Sequence, residues 1–390
     1  MNLYQKNHPK YFWRFVDEIP DAIWQTAIQQ AKSLLGVACE TDEIDSLLQL
    51  VLGEGQFGAD HWRLSSVKRF YYDLKPFLPR FLIRRMRQFY QPLTIDSFSL
   101  AWPVEKRYVL FLWEVCRQIM TLTGQTHLTF NAFWPAANRF ALVLTHDIES
   151  GHGQDFVRQV ADLEESLGFR SSFNFVPERY SIDQSLVDEL KSRGFEVGIH
   201  GLKHDGKLFS SRDEFERRSK LINKYLKTLG AVGFRAPLTH RHPEWMQDLE
   251  IEYDLSFFDT DPYEPIPGGT MNIWPFFIGH FVELPYTLVQ DYTLTSILGE
   301  KTPRIWIDKV DFIEKHRGMA LVNSHPDYLR EKNTWDVYLQ FLRAMKERGG
   351  YWHALPCEVA SLWRVRSTMG SNKKNDFILA RLLNGKLELS

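Results

Sequence analysis

The chain has 390 residues, 44% of them hydrophobic and 25% charged, which predicts a soluble protein with a sizeable core, built as one large domain and a smaller companion. Its 47 Lys and Arg against 49 Asp and Glu leave a formal net charge of -2, so nucleic acid is not the default partner. Three cysteines, Cys39, Cys116 and Cys357, stand far apart without C-x-x-C spacing, which indicates neither a disulfide framework nor a thiolate zinc site and fits a reducing compartment.

The opening MNLYQKNHPKYFWRFVDEIP lacks the apolar core of a signal peptide, and no stretch reaches the roughly 18 uninterrupted apolar residues of a spanning helix. The expectation is a cytoplasmic protein without a transmembrane helix. Residues 1–137 read as a mainly helical accessory region, rich in aromatics, punctuated by Pro76, Pro79, Pro92 and Pro103, and free of catalytic motifs. Within it, residues 77–90 (FLPRFLIRRMRQFY) set Leu78, Leu82, Met86 and Phe89 on one helical stripe with Arg80, Arg84 and Arg87 opposite. That pattern fits a helix packed on the rest of the protein; it also fits peripheral contact with an anionic membrane surface.

From Arg139 the texture changes to short β-rich runs, each followed by an amphipathic helical stretch: FALVLT then 156–167, SFNFV then 184–192, FEVGIH then 213–229. VGFRAP, YDLSFF and MALVNSH continue the series, with helical stretches at 305–316 and 335–347. Repeated β-then-α units over residues 138–366 predict a parallel sheet or barrel, and residues 367–390 are left as a C-terminal tail. Chemistry in such folds gathers where the strands end. LTHDIE closes the first of these runs, IHGLKHDG the third, FRAP the fourth and NSHPDYL the last, so residues distant in sequence are predicted to face one pocket.

His200 and His204 stand in H-x3-H spacing, which on one helical turn would turn two imidazoles toward one divalent cation; two solvated loop histidines give the same spacing. Asp147 and Glu149 supply carboxylates at another strand end. Residues two apart in an extended chain point the same way, so one acid can bind metal while the other handles protons. Two histidines, one carboxylate and an open position make a recurrent hydrolytic site; surface ion pairs at a loop start are the alternative.

These residues resemble the polysaccharide deacetylases with a NodB-homology domain, carbohydrate esterase family 4, over roughly residues 139–363. THDIE is similar to that family's first motif, HGLKHDG to its second, FRAP to its third and NSHPDYL to its last. The resemblance implies a distorted (β/α) barrel of NodB type and a metal-dependent N-deacetylase. It implies Asp147 as the catalytic base, Glu149, His200 and His204 as ligands of one divalent ion, Arg235 as the partner of Asp147, and His325 as the general acid. Zinc is the first expectation for the ion, with cobalt, iron and manganese also compatible.

The chain departs from the family pattern at two places: Glu149 stands where Asp is usual, and Gly201 replaces the usual Ser or Thr after the first histidine. Asp259, in the Pro- and Gly-rich loop DTDPYEPIPGG, is the candidate acid steadying Arg235, with turn capping as the alternative. Pro237 of FRAP and Trp274 of NIWPFF are candidates to line the substrate pocket, although aromatic residues in such spacing are more often core. His146 and His152 stay outside the catalytic set, and His240 and His242 are read as plain loop histidines, with lining of the substrate as the alternative. The expected substrate is an N-acylated glycan or a lipid- or nucleotide-linked sugar of a surface polysaccharide. A deformylase or other non-peptide amide hydrolase is the enzymatic alternative, and a catalytically silent carbohydrate-binding or scaffold protein is the alternative of another class.

Overall fold

The computed structural model describes residues 2–38, 43–64, 68, 98–368, 376–383 and 385–389. Cys39 and the amphipathic segment 77–90 lie outside the described residues, apart from which no described helix is long and apolar enough to cross a membrane. In chain order the strands are β1 (His127–Asn131), β2 (Phe140–Ile148), β3 (Ser172–Phe175), β4 (Glu196–His200), β5 (Gly233–Arg235), β6 (Tyr253–Asp254), β7 (Phe276–Ile278), β8 (Phe281–Glu283), β9 (Met319–Ser324), β10 (Tyr351–His353), β11 (Phe377–Leu383) and β12 (Lys386–Leu389).

The larger sheet has the order β10-β2-β3-β4-β5-β6-β8-β7, with β9 also on β2. Every pair in it is parallel except the β7–β8 hairpin. Isolated parallel bridges Phe258↔Tyr286 and Leu288↔Val322 carry the ladder onward from the end of β6 to β9, so the sheet curls into the expected (β/α) barrel. β2, β3, β4, β5 and β9 are buried at every position. Continuous apolar runs such as FALVL therefore belong to strands covered on both faces, with the interior on one side and helices on the other.

The helices outside the barrel start where their sequences provide caps. Asp183 accepts hydrogen bonds from the backbone N–H groups of Ser185 and Leu186 at the start of Gln184–Ser192. Ser211 accepts from Glu214 at the start of Arg212–Leu229, in capping-box spacing. The latter helix buries Phe215, Ile222, Leu226 and Leu229, together with Arg218, which is paired with Asp205 and Glu214.

Residues 1–137 do not form a core of their own among the described residues. Their apolar side chains and those of the barrel make one contiguous cluster. Asn7 exchanges two hydrogen bonds of 2.8 Å with the backbone of Phe277 on β7, and Phe12 packs edge-on against Trp274 at 4.9 Å between ring centroids. Higher up, Glu54 pairs with Arg241 in the loop that follows β5. The accessory region thus runs along the β7–β8 side from the base of the barrel to its mouth. Within the segment expected as a tail, β11 and β12 add to β1 as a three-stranded antiparallel sheet.

Candidate active site

Alternation along β2 sorts its polar residues. Thr145 and Asp147 face the barrel interior, where both accept hydrogen bonds from Arg235 of β5. His146 faces outward and lies between Glu164, 2.8 Å from its Nε2, and Ser324, 2.8 Å from its Nδ1. His146 is therefore part of a buried structural network that also holds Ser171 and Tyr338. His152 sits in the short helix Gly151–Gln154.

Asp147 is enclosed by donors from three other strands. Its Oδ1 accepts from Asn174 on β3 at 3.0 Å and from Arg235 at 3.2 Å, and its Oδ2 accepts from Asn323 on β9 at 3.1 Å. His200 Nδ1 and His325 Nε2 lie 3.9 and 4.0 Å from Oδ2. Burial opposes ionisation of this carboxyl, yet Arg235, the two imidazoles and Asn174 outweigh it and hold its pKa well below the ordinary carboxylate value. Asp147 is an ionised carboxylate with both oxygens held in place.

Glu149, one residue beyond β2, converges with His200 and His204: one ligand atom of each lies within 4.8 Å of the others. Glu149 Oε1 is 3.1 Å from His204 Nε2, and Tyr328 donates to Oε2 at 3.3 Å. Asp327 fixes the turn by accepting from the Glu149 backbone N–H at 2.9 Å and from the Ser150 hydroxyl. His200 ends β4 with Nδ1 3.2 Å from the Arg235 carbonyl, a geometry that assigns the proton to Nδ1 and leaves Nε2 as the free nitrogen. Burial pushes the His200 pKa down to about 4, so the ring is neutral, as a ligand must be. Two imidazoles and a carboxylate at this separation fit one divalent ion.

The H-x3-H pair does not converge through a helical turn. β4 ends at His200, and the chain then folds as a loop with positive φ at Gly201 (+63°), His204 (+53°) and Gly206 (+72°), which brings the two rings to 5.0 Å. Gly201 has a second reason to lack a side chain: a Cβ there would lie 2.4 Å from Cγ and Cδ of Pro237. Pro237 thus packs against the histidine loop itself.

His325 follows β9, and its Nδ1 lies 2.7 Å from Asp291 Oδ1. Burial opposes protonation of the ring, but Asp291 overrides it and pushes the pKa up to about 10. Sequence reasoning did not single out Asp291. It lies in an apolar and hydroxyl-rich stretch, VQDYTLTS, and meets His325 only through closure of the barrel. Asn174 and Asn323, which hold Asp147 directly, were also missed; their positions at the ends of β3 and β9 were the available signal.

Two expectations are corrected. Asp259 does not steady Arg235: its carboxylate pairs with Lys309 of the helix Arg304–Lys315 at 2.8 and 2.9 Å, and both side chains are buried. Arg235 is instead held by the Leu255 carbonyl at 2.8 Å, Thr145 Oγ1 at 3.0 Å and Asn323 Oδ1 at 2.6 Å. Trp274 does not present a face to a ligand. It is 1% exposed, its Nε1 donates to the Arg317 carbonyl, and it lies beside the start of β9, at the opposite end of that strand from His325.

No family model matches the chain, and no curated protein sequence matches it. Solved structures do. A protein from Mycobacterium smegmatis proposed to be a polysaccharide deacetylase superposes with a TM-score of 0.51 at 15% identity, covering 63% of this chain and 97% of that one. A probable polysaccharide deacetylase from Pseudomonas aeruginosa PAO1 gives a TM-score of 0.51 at 14% identity, covering 60% of this chain and 94% of that one. Nearly the whole of each relative is matched by under two thirds of this chain. The chain has the fold of the NodB-type polysaccharide deacetylases.

Proposed function

We propose that this protein is a metal-dependent hydrolase that removes an N-acyl group, in the first instance N-acetyl, from a sugar of a surface polysaccharide or its precursor. The observation that carries the reading is the convergence of Glu149, His200 and His204 beside an ionised Asp147 and a protonated His325, all at the strand-end mouth of one barrel.

Glu149, His200 and His204 would hold one divalent cation, zinc in the first instance, which when bound would supply Lewis-acid polarisation of the amide carbonyl and a lowered water pKa. Asp147 accepts the proton of the attacking water on Oδ2, the oxygen nearest both histidines, while Arg235 and Asn174 hold Oδ1 in place. His325 carries a proton on Nε2 because Asp291 binds the opposite nitrogen, and it delivers that proton to the departing amine. An acid and a base 4.0 Å apart, their pKa values driven apart by Asp291 and Arg235, give the division of labour that amide hydrolysis requires.

The test is acetate release from a panel of N-acetylated oligosaccharides and nucleotide sugars by the purified full-length chain, stripped with chelator and then reloaded with zinc, cobalt, iron or manganese. Activity that disappears with the metal and returns with it supports the reading. Formate release from an N-formylated sugar in place of acetate would make the enzyme a deformylase. Absence of both, with the chain unresponsive to metal, would leave the silent carbohydrate-binding protein.

A further inference from the structure

The residue before Asp147 and the residue before His325 meet each other. His146 and Ser324 are cross-strand partners in the parallel pair β2–β9, and Ser324 is the last residue of β9. His146 Nδ1 lies 2.8 Å from Ser324 Oγ on the outer face of the sheet, and His146 Nε2 lies 2.8 Å from Glu164 Oε1 on the helix Val157–Leu167. A serine, a histidine and a glutamate in hydrogen-bond reach have the makings of a nucleophilic triad. All three are 0% exposed, so no substrate reaches Ser324 and a role in bond-breaking is ruled out.

The network is complete as it stands. Glu164 Oε1 also accepts from the Tyr338 hydroxyl on the helix Lys332–Arg348, and Oε2 accepts from Ser171 at 2.5 Å. Burial opposes ionisation of Glu164, yet His146 and the two hydroxyls outweigh it and hold its pKa below the ordinary carboxylate value. An ionised carboxylate only accepts, so His146 Nε2 donates to it and Nδ1 is left for the Ser324 hydroxyl. The imidazole stacks on Phe173 of β3 at 4.7 Å between centroids and meets the Tyr338 ring edge-on at 5.9 Å, which fixes its plane. A buried polar network whose members are all satisfied is rigid and specifies one arrangement.

Its place on the strands gives it a use. By alternation Leu142 and Leu144 of β2, and Ala320 and Val322 of β9, occupy the same outer face lower down, and an apolar pair at 146 and 324 would continue that packing without desolvating polar groups. The chain carries that cost at the rung next to the reacting groups. Asp147 and His325 are the following residues on the two strands, with His325 Nε2 4.0 Å from Asp147 Oδ2. On the inner face Asn323 ties β9 to Asp147 and Arg235. On the outer face His146 ties the end of β9 to β2 and, through Glu164 and Tyr338, to two helices.

We propose that His146 is a positioning residue: through Ser324, with Glu164 and Tyr338 behind it, it locks the ends of β2 and β9 together and so sets the spacing between Asp147 and His325. The proposal rests on the reading of Asp147 as base and His325 as acid, and adds the device that holds them at a working distance.

The experiment uses Ser324→Ala in the zinc-loaded full-length chain, a change that removes one oxygen and detaches β9 from the network while the His146–Glu164 contact stays. Crystal structures of parent and variant give the Asp147–His325 separation, and acetate release from the panel of N-acetylated oligosaccharides and nucleotide sugars gives kcat and KM. The separation is expected to change by about 0.5 Å or more, and kcat to fall about tenfold or more at unchanged KM, because misplacement by about 1 Å costs about a hundredfold. Ser324→Thr, which keeps the hydroxyl, should recover most of the kcat. A purely structural role would lower the unfolding midpoint of Ser324→Ala and leave its separation and kcat at the parent's values; that result overturns the proposal. A changed separation with no acetate released by the parent would leave the positioning standing and remove the deacetylase reading. Acetate release by the parent, with separation and kcat unchanged in the alanine variant, would do the opposite.

Discussion

Asp291 holds His325 at two points: Oδ1 lies 2.7 Å from the imidazole Nδ1, and Oδ2 accepts the His325 backbone N–H at 2.9 Å. One carboxylate therefore fixes the ring's proton, its orientation and the start of the loop after β9. The His325 pKa is raised from 6.5 to about 10. A folded-state value above the unfolded one means that the pair's contribution to stability is complete below about pH 6.5 and is lost as pH rises through about 10. In Asp291→Asn burial opposes protonation with only the charges of Glu149 and Asp147 left against it, so the His325 pKa falls from about 10 toward its ordinary 6.5. The alkaline limb of the kcat profile is expected to move down by about two pH units or more. A limb that stays in place would remove His325 from the role of acid.

Asp147→Asn and His204→Ala are expected to fail in different ways. Asp147 touches donors on three strands but lies apart from the three converging ligand atoms, so its amide variant should keep the ion and lose about two orders of magnitude or more in kcat. His204→Ala removes one of three ligands and should lose most of the metal together with activity, while the far-ultraviolet circular dichroism stays that of the parent. Metal analysis on dialysed protein separates the two, and full occupancy in His204→Ala would overturn the ligand assignment.

Glu149→Asp tests the position at which the chain departs from the family pattern. The longer side chain reaches both His204 Nε2 at 3.1 Å and the Tyr328 hydroxyl at 3.3 Å. Shortening it by one methylene should leave it short of a coordination distance of about 2.0–2.2 Å and reduce metal affinity about tenfold or more, with part of the activity returning at high metal. A gain of activity on this substitution would instead mark the native site as a decayed one and favour the silent binder.

Gly201→Ala is expected to destabilise the fold and loosen the site together. The position has φ of +63°, and a Cβ there would lie 2.4 Å from two atoms of the Pro237 ring. Left-handed strain and overpacking together predict a loss of about 2–4 kcal/mol in urea unfolding. Because His200 precedes this residue and His204 follows it in the same loop, zinc affinity should fall as well. Unchanged values for both would show that the loop relaxes freely.

The contribution of sequence differs from residue to residue. β2, β4 and β9 were legible because a buried parallel strand demands a continuous apolar run, and polar residues at the end of such a run stand out. The same alternation separated Asp147 from His146, although only the structure supplies Glu164 as the reason His146 is buried. His200 and His204 were recognised as a pair for a reason that did not hold: four-residue spacing suggests a helix, whereas three positive φ angles close the loop. Asp259 and Asp291 could not be told apart by local chemistry. Each is an acid that follows a β-run, Asp259 in a loop and Asp291 at the start of a helical segment, and the choice between them is made by partners 50 and 34 residues further along the chain, Lys309 and His325. Trp274 was uninformative for a similar reason, since an aromatic residue reads alike at either end of a barrel.

The Glu54–Arg241 pair has a consequence for how the molecule can be divided. Arg241 belongs to the barrel by sequence and is 3% exposed, yet the carboxylate that neutralises it comes from the accessory region, which also accepts the backbone N–H of Gly269 at 2.8 Å. Excising residues 1–137 would strand a guanidinium in a low-dielectric loop, a defect of about 3–5 kcal/mol, and would take away β1, the strand on which β11 pairs. Residues 1–137 and the barrel thus share one buried ion pair and one small sheet, so cutting between them breaks both.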